Sequence, residues 1–361
     1  MKKMWQYFYP VVFFLTLCLF CLFSLKEDLP LEKRKATQPP AFTFQSGVYS
    51  QNMEKFLADQ IPFRSFFVAS NAYFQLYTGR NVTMSVYQTK DGALVEKPIT
   101  GDTQIAQKNL EKYSAFCKTQ GMRPFTMIVP TAGYIRQADL PKPLQLYRDD
   151  AYLATLQQAF PSLSFVEVLP ALQETPNAFY KGDHHWTIDG VTASVNEFCK
   201  ASGIPMLDAP ADTLPGFHGT TYAKSGLYLT PPEPMGLPKI QGTYRITFEK
   251  ENHKINHSSL LFTKDLNPND MYALYLNGNH GLTFIHNDSA TTKRTLLVFK
   301  DSFANAFLPH LAPHYKTIAL VDMRSYRKPV SALCKEYAFD DCLLLYGLDT
   351  LMKDKNLLWI R

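Results

Sequence analysis

The chain has 361 residues, of which 46% are hydrophobic and 19% charged, a balance typical of a globular protein with a buried core. Its formal net charge is +5, but Lys and Arg are mixed with Asp and Glu and form no basic stripe. The composition therefore argues against a nucleic-acid-binding protein.

The N-terminus carries the pattern of a membrane anchor. Lys2 and Lys3 precede an apolar run of bilayer-spanning length, and no small-residue cleavage site follows Leu25. We predict a single-pass transmembrane signal anchor over residues 1–25, with a cleaved signal peptide as the alternative. A charged, proline-rich linker over residues 26–43 follows, and the remainder, residues 44–361, is expected outside the cytoplasm.

Helices and strands alternate in the first part of this remainder. The predicted elements are helices over Val48–Tyr77 with a break at Pro62, a hairpin over 85–96 turning at Asp91-Gly92, helices over Asn109–Thr119, Tyr152–Phe160 and 187–203, and strands over 123–129, where a loop begins at Pro130, and 163–170. Such alternation is the signature of an α/β fold with a parallel sheet.

The pattern changes between about residues 206 and 290. Gly, Pro, Thr and Tyr are frequent there, and the alternating runs 243–250 and 271–278 predict a β-rich insertion. The α/β pattern then returns with a strand that ends at Lys300, a helix over 304–315, and strands over 316–326 and 341–348.

Four cysteines lie beyond the apolar run. Cys117, Cys199, Cys334 and Cys342 show neither a disulfide framework nor a CxxC pair suited to zinc. We predict buried thiols with at most one disulfide bridge.

The apolar run that ends in Lys300-Asp301-Ser302 passes directly into a predicted helix. The turn places Ser302 at the carboxyl end of a strand, where open α/β sheets carry their sites, and beside a helix N-terminus that can stabilise an oxyanion. The plainer interpretation makes Asp301 or Ser302 an N-cap of that helix.

A serine nucleophile needs a base and an acid that orients the base. Asp183 and His185 supply such a pair, since residues two apart in an extended loop point to the same side. His184 is then expected to face the other way, and Trp186 to form part of the core or a pocket wall.

Metal chemistry is the competing interpretation of the Asp-His-His run. The manganese-dependent phosphoesterases that share it need further acidic and histidine motifs, and none is found in this sequence. No HxH or HExxH pattern supports zinc either. We therefore predict no metal and no cofactor.

Several motifs together resemble the DHHW proteins, which are exported bacterial proteins related to the periplasmic alginate O-acetyltransferases. The matching segments, in family order, are DQIPFR, GDHHWTIDG, GTTYAKSG, LNGNHG, LVFKDSFANAFLPHLAPHY and VDMRSY, between about Phe44 and Tyr326. The resemblance implies an SGNH-hydrolase-like α/β fold with permuted motif order, in which Asp-x-His precedes the serine.

Carried over onto this sequence, the resemblance makes Ser302 the nucleophile, His185 the general base and Asp183 its orienting acid. Asn305 is expected to supply an amide donor to the oxyanion. Arg324 and Tyr326 match a family D-x-R-x-Y pattern and are expected to line the carbohydrate or acyl pocket.

The predicted function is polysaccharide O-acetylation through an acyl-enzyme. By resemblance, a multi-span membrane O-acyltransferase supplies the acetyl group, and the acceptor is a cell-surface or secreted polysaccharide. Two alternatives stay open: an acetyl esterase with the same triad, and a non-catalytic glycan-binding or assembly factor.

Overall fold

The computed structural model of the protein describes residues 8–16, 26–41, 46–83, 85–206, 210–250, 253–264 and 266–361. Residues 8–16 form helix α1, and the rest of the anchor predicted over residues 1–25 lies outside the described residues. Within the described ranges, no helix combines the length and the apolar character needed to cross a membrane.

The chain divides into two compact units, of which the smaller comprises residues 1–85 and 222–230. Besides α1, its elements are strands β1 (Asp28–Leu29), β2 (Arg34–Lys35) and β3 (Val82–Thr83), helices α2 (Ser46–Gln60) and α3 (Arg64–Tyr77), and the 3-10 segment Pro30–Glu32. The break between α2 and α3, predicted at Pro62, is confirmed, and Phe63 adopts a left-handed backbone conformation with φ 56° at the start of α3.

Asp59, near the end of α2, links this helix to the segment that contains Arg34 and Thr37. Its carboxylate accepts hydrogen bonds of 2.7 Å from both terminal nitrogens of Arg34 and one of 2.9 Å from the Thr37 backbone N–H. The hydrogen bonds from Arg34 are the main reason that the pKa of Asp59 falls below its ordinary range, although burial opposes the shift.

The larger unit comprises residues 86–221 and 231–361 and is built around one large sheet. Its helices are α4 (Gln104–Gln120), α5 (Ala132–Ile135), α6 (Asp149–Ala159), α7 (Leu169–Glu174), α8 (Ile188–Ser202), α10 (Phe303–Leu311), α11 (Val330–Glu336) and α12 (Leu348–Lys353), while α9 (Thr220–Ser225) leads into the smaller unit. Its 3-10 segments are Gln137–Asp139, Lys142–Leu144, Pro268–Leu274 and Asn356–Trp359. Its strands are β4 (Val86–Gln88), β5 (Leu94–Glu96), β6 (Arg123–Val129), β7 (Ser164–Phe165), β8 (Ala211–Phe217), β9 (Glu233–Pro238), β10 (Arg245–Lys250), β11 (His253–His257), β12 (Leu282–His286), β13 (Thr295–Lys300), β14 (Thr317–Val321) and β15 (Asp341–Gly347).

The large sheet has eight strands in the order β11-β10-β12-β14-β13-β15-β6-β7. The five strands from β14 to β7 run parallel, as the alternation of helices and strands predicts, but β12, β10 and β11 add to the β14 edge in antiparallel orientation. The α/β prediction is confirmed, and the predicted parallel sheet is corrected to a mixed one.

The segment between about residues 206 and 290 explains this difference. Strands β8 and β9 pair only with each other, whereas β10, β11 and β12 continue the main sheet. A short turn joins β10 to β11, and a longer connection that contains the 3-10 segment Pro268–Leu274 leads from β11 to β12. Residues 271–278, expected to be extended, are not a strand: residues 271–274 end the 3-10 segment Pro268–Leu274, which begins with a proline, and a bridge residue and a turn follow. Asn267 caps it by accepting the Asn269 backbone N–H.

Helices cover both faces of the sheet, and the side chains of β13 point alternately to the two faces, so they contribute to two separate cores. Leu296 and Val298 pack with α8 and α10, whereas Leu297 and Phe299 pack with α4, α11 and α12 on the other face. The four described cysteines are all free thiols, and three of them are buried.

Tyr113 on α4 joins two parallel strands beneath the helix layer. Its hydroxyl lies 2.7 Å from the Phe125 carbonyl oxygen and 2.8 Å from that of Cys342. Pro124, which pairs with Cys342 across β6 and β15, has no N–H to contribute to the strand ladder. The tyrosine hydroxyl therefore supplies a donor at the level where the ladder lacks one.

We predict that Tyr113→Phe lowers the free energy of unfolding by about 1–3 kcal/mol, because two buried carbonyls lose this donor. Urea unfolding followed by circular dichroism measures the change. Tyr152→Phe, whose hydroxyl bonds to the Gly101 carbonyl in an exposed position, is the control and should change stability little. Equal effects of the two variants would contradict this role of Tyr113.

Candidate active site

The turn after β13 presents Ser302 at the carboxyl end of a strand with parallel neighbours on both sides. Ser302 occupies the N-cap position of α10, but its side chain makes no capping hydrogen bond. Asp301 instead accepts the Phe303 backbone N–H at 3.0 Å and the Gly347 N–H at 2.8 Å. The capping interpretation therefore applies to Asp301, and the Ser302 hydroxyl is left available for another partner.

That partner is His185. The His185 Nε2 atom lies 2.7 Å from Ser302 Oγ, although the two residues are 117 positions apart in the chain. The other ring nitrogen, Nδ1, lies 2.5 Å from Asp183 Oδ1, which also accepts the His185 backbone N–H at 2.9 Å. The structure thus brings the three residues together in the order acid, imidazole, hydroxyl that activates a serine.

The second oxygen of the Asp183 carboxylate is held by Thr220. Asp183 Oδ2 accepts the Thr220 backbone N–H at 2.5 Å and the Thr220 hydroxyl at 3.0 Å. Gly219 permits this approach, because an added Cβ there would lie 2.1 Å from the Asp183 Cβ. Both oxygens of the buried carboxylate are therefore satisfied, which fixes its plane.

Glu233 holds the loop that carries the Asp-His-His run. Its Oε2 atom accepts the backbone N–H groups of Lys181 and Gly182 at 2.7 and 2.9 Å. Bends occupy residues 181–185 in place of an extended strand. His184 consequently does not face the other way as expected: its ring centre lies 3.9 Å from that of His185, and its Nδ1 bonds to the Thr220 hydroxyl at 2.8 Å.

Aromatic rings enclose the His185 imidazole. Tyr272 stacks on it with ring centres 3.9 Å apart and planes inclined by 14°, and Phe303 lies 5.1 Å away. Trp186 is buried against Phe303 and Phe307, in agreement with its predicted place in the core. These rings keep water from most of the imidazole and restrict its rotation.

This environment keeps the acid, Asp183, ionised and the base, His185, neutral. Burial lowers the pKa of His185 to about 4, with a further lowering from His184 that Asp183 only partly offsets. Burial opposes ionisation of Asp183, but the two histidines and its hydrogen bonds hold the pKa of this carboxyl well below its usual range. At neutral pH, His185 is therefore a neutral acceptor beside an ionised Asp183.

Asn305 lies on the first turn of α10 and belongs to a polar cluster. The Lys300 ammonium donates to Asn305 Oδ1 at 2.5 Å and to Asn279 Oδ1 at 2.9 Å, and Asn305 Nδ2 donates to Asn279 Oδ1 at 3.0 Å. Burial lowers the pKa of Lys300 to about 8, although the nearby Asp322 favours its charged form.

The two other predicted pocket residues are placed differently from each other. Arg324 follows β14 and forms hydrogen bonds of 2.9 and 2.6 Å with Asp322, and its charge acts on Lys300 and Asp301. Tyr326 packs in the core on the opposite face of the sheet from Phe303. It lines a pocket together with Arg327 and Trp359, and its expected role in the carbohydrate or acyl pocket stays a prediction.

Asp183, His184 and His185 also place one potential metal-binding atom each within 4.8 Å of one another. However, the Asp183 oxygens are engaged by His185 and Thr220, and the His184 Nδ1 by the Thr220 hydroxyl. A metal would have to displace these hydrogen bonds, so the geometry suits a hydrogen-bonded relay better than a metal site.

Sequence reasoning missed the residues that support the three central side chains. Thr220 and Asn279 lie in the GTTYAKSG and LNGNHG motifs, which could have indicated them, and Lys300 stands two residues before Ser302. Tyr272 and Glu233 carry no local signal, because their contacts depend on how distant segments meet.

A serine, a neutral histidine and an ionised aspartate at the carboxyl end of a parallel strand form the arrangement that serine-dependent esterases and acyltransferases use to activate a hydroxyl. No protein-family model and no curated protein sequence matches the chain.

The fold is similar to that of a DHHW family protein from Eubacterium siraeum, with 20% sequence identity and a TM-score of 0.68 over 77% of this chain and 95% of that one. It is also similar to Bacillus cereus PatB1 with a sulfonyl adduct, at 19% identity and a TM-score of 0.60 over 76% of this chain and 100% of PatB1. A second PatB1 structure gives 19% identity and a TM-score of 0.58 over 75% of this chain and 98% of PatB1. The predicted resemblance to the DHHW proteins is confirmed at the level of the fold.

We predict that catalytic efficiency, kcat/KM, stays level through neutral pH and falls only as the pH approaches about 4, because His185 must be neutral to accept the Ser302 proton. A pH profile of ester hydrolysis by the purified protein measures this. Tyr272→Ala exposes the imidazole to water and should move the fall to higher pH. A wild-type profile centred at or above the ordinary histidine pKa of about 6.5 would contradict the buried, neutral base.

We further predict that Gly219→Ala lowers kcat by about a hundredfold, because the added methyl group must displace the Asp183 side chain that orients His185. Steady-state kinetics on an acetyl ester give kcat, and thermal unfolding shows whether the fold survives. Gly47→Ala is the matched control, since an added Cβ there meets no atom within 4 Å. A Gly219→Ala variant that is folded and fully active would show that the close approach is unimportant.

Proposed function

We propose that the protein is an acyltransferase in which Ser302 is the nucleophile, His185 the general base and Asp183 the residue that orients and stabilises the imidazole. The observation that carries the proposal is the continuous chain of short hydrogen bonds from Asp183 through His185 to Ser302. A structural N-cap does not need such a chain, and the capping function here belongs to Asp301.

The first half-reaction forms an acyl-enzyme. Ser302 Oγ forms a bond to the carbonyl carbon of an acetyl ester while its proton passes to His185 Nε2. The oxyanion that results is stabilised by the Ser302 backbone N–H and the Asn305 amide at the start of α10. The bond to the leaving oxygen then breaks, and His185 returns the proton to that oxygen.

The second half-reaction transfers the acetyl group. A hydroxyl group of the acceptor gives its proton to His185 and attacks the acyl carbon, after which the Ser302–acyl bond breaks and Ser302 recovers the proton. The resemblance to proteins related to the alginate O-acetyltransferases favours a polysaccharide as the acceptor. It also favours an SGNH-hydrolase-like fold with permuted motif order, in which Asp183 and His185 precede Ser302. It also favours an acetyl supply from a multi-span membrane O-acyltransferase.

Membrane anchoring through residues 1–25 belongs to the same proposal. An anchor would confine the catalytic residues, within the domain proposed over residues 44–361, close to a membrane-borne acetyl donor and would raise the effective concentration of that donor. Export is supported by Lys2 and Lys3 before the apolar run.

Acetyl ester hydrolysis is the second candidate, because Ser302 is partly exposed and a neutral His185 can also deprotonate water. Water and a sugar hydroxyl compete for the same acyl-enzyme. Product analysis with and without added oligosaccharide therefore separates the two, since a transferase yields acetylated oligosaccharide at the expense of free acetate.

We predict that Ser302→Ala and His185→Ala each lower turnover of a chromogenic acetyl ester by about ten-thousand-fold or more, because each removes an essential member of one unit. Initial rates of the purified variants measure the loss. Ser162→Ala, which removes a hydroxyl from an exposed turn, is the control and should retain full activity. If wild type and both site variants show the same low rate, the serine-enzyme proposal is wrong and glycan binding without catalysis becomes the better account.

A further inference from the structure

Lys300 is a buried cation at the end of β13 that the proposed reaction does not use. Its side chain is only 2% exposed, and it forms no ion pair with any of the described residues. Its ammonium group is instead solvated by two amide oxygens, those of Asn279 and Asn305. A buried charge held this way is costly, because neutral acceptors compensate the loss of water less well than a carboxylate does.

The contact with Lys300 determines which way the Asn305 amide points. An ammonium group can only donate hydrogen bonds, so the atom that faces it at 2.5 Å must be the Asn305 oxygen. The Asn305 nitrogen is thereby directed to the other side, where it donates to Asn279 Oδ1 at 3.0 Å.

One N–H of the Asn305 amide remains after this contact. The amide nitrogen carries two hydrogens, and only the hydrogen bond to Asn279 is formed with the described residues. Asn305 lies in the first turn of α10, three residues after Ser302, and its backbone N–H donates to the Ser302 carbonyl at 3.1 Å. The second N–H is therefore available on the turn that carries the nucleophile.

Lys300 is also close enough to the reaction centre for its charge to act on His185. The network thus connects the end of β13, the first turn of α10 and the loop before β12, which carries Asn279. Each of the three side chains is held by the other two, so the amide orientation is set before a substrate binds.

We propose that Lys300 is a positioning residue that, together with Asn279, fixes the Asn305 amide with its free N–H directed at the oxyanion formed on Ser302. This inference rests on the proposed function, since it assigns the support of the oxyanion donor in that same site. Lys300 itself does not touch the substrate and acts through Asn305.

A double-mutant cycle tests the inference. We expect Asn305→Ala to lower kcat for a chromogenic acetyl ester by about 10²- to 10³-fold, the loss that follows removal of one oxyanion donor. Lys300→Met keeps the length of the side chain but cannot donate, and should lower kcat by about a hundredfold with KM little changed. In the double variant the two losses should not multiply, because both act through one amide.

Two further variants show whether a fall in kcat is caused by unfolding of the protein. Asn279→Ala leaves the buried cation in place but removes the other contact of the Asn305 amide, so kcat should fall while circular dichroism shows that the native fold is kept. Lys293→Met, at an exposed position shortly before β13, is the matched control and should behave as wild type.

The outcomes separate this inference from the proposed function. If wild type exceeds Ser302→Ala but Lys300→Met equals wild type, the positioning role is wrong and the serine mechanism stands. If the losses of Lys300→Met and Asn305→Ala multiply in the double variant, Lys300 acts on its own and the inference is overturned. If wild type does not exceed Ser302→Ala, the proposed function fails and the inference fails with it.

Discussion

A carboxylate buried against an imidazole is the interaction on which the rest of the site depends. Removing Asp183 from water costs several kcal/mol unless its oxygens are fully hydrogen-bonded, and four donors from His185 and Thr220 meet that requirement. Because these donors come from two separate segments, the buried carboxylate is fully hydrogen-bonded only when the loop at residues 181–185 and the start of α9 are both in place. A properly oriented His185 is therefore a consequence of the complete fold.

The sheet supplies the other half of the site. Strand β13 is central and buried on both faces, so the turn at its carboxyl end has little freedom, and Asp301 ties that turn to Gly347 at the end of β15. Ser302 consequently projects from a rigid position toward a loop that Glu233 and Thr220 hold in place. Tyr272 closes the site over the imidazole from a third segment.

The central residues could be predicted from the sequence, because their signals are local. Asp183 and His185 are two positions apart, and Ser302 stands where an apolar strand meets a helix, which needs no knowledge of the tertiary structure. The supporting residues could not be predicted, since Tyr272 and Glu233 contact the site only through long-range packing. Likewise, alternating hydrophobicity predicted β10 as a strand but could not show that β10 extends the main sheet. The same alternation at residues 271–278 wrongly predicted a strand, because a 3-10 segment that begins at Pro268 includes residues 271–274.

The most direct test is to identify the nucleophile by covalent labelling and mass spectrometry. The purified protein is treated with a sulfonyl fluoride, which reacts with activated serine hydroxyls, and is digested to identify the modified peptide. The account predicts a single adduct on Ser302 that forms slowly or not at all in His185→Ala, because the unassisted hydroxyl is a poor nucleophile. An adduct on another residue, or equal labelling of Ser302 with and without His185, would contradict it.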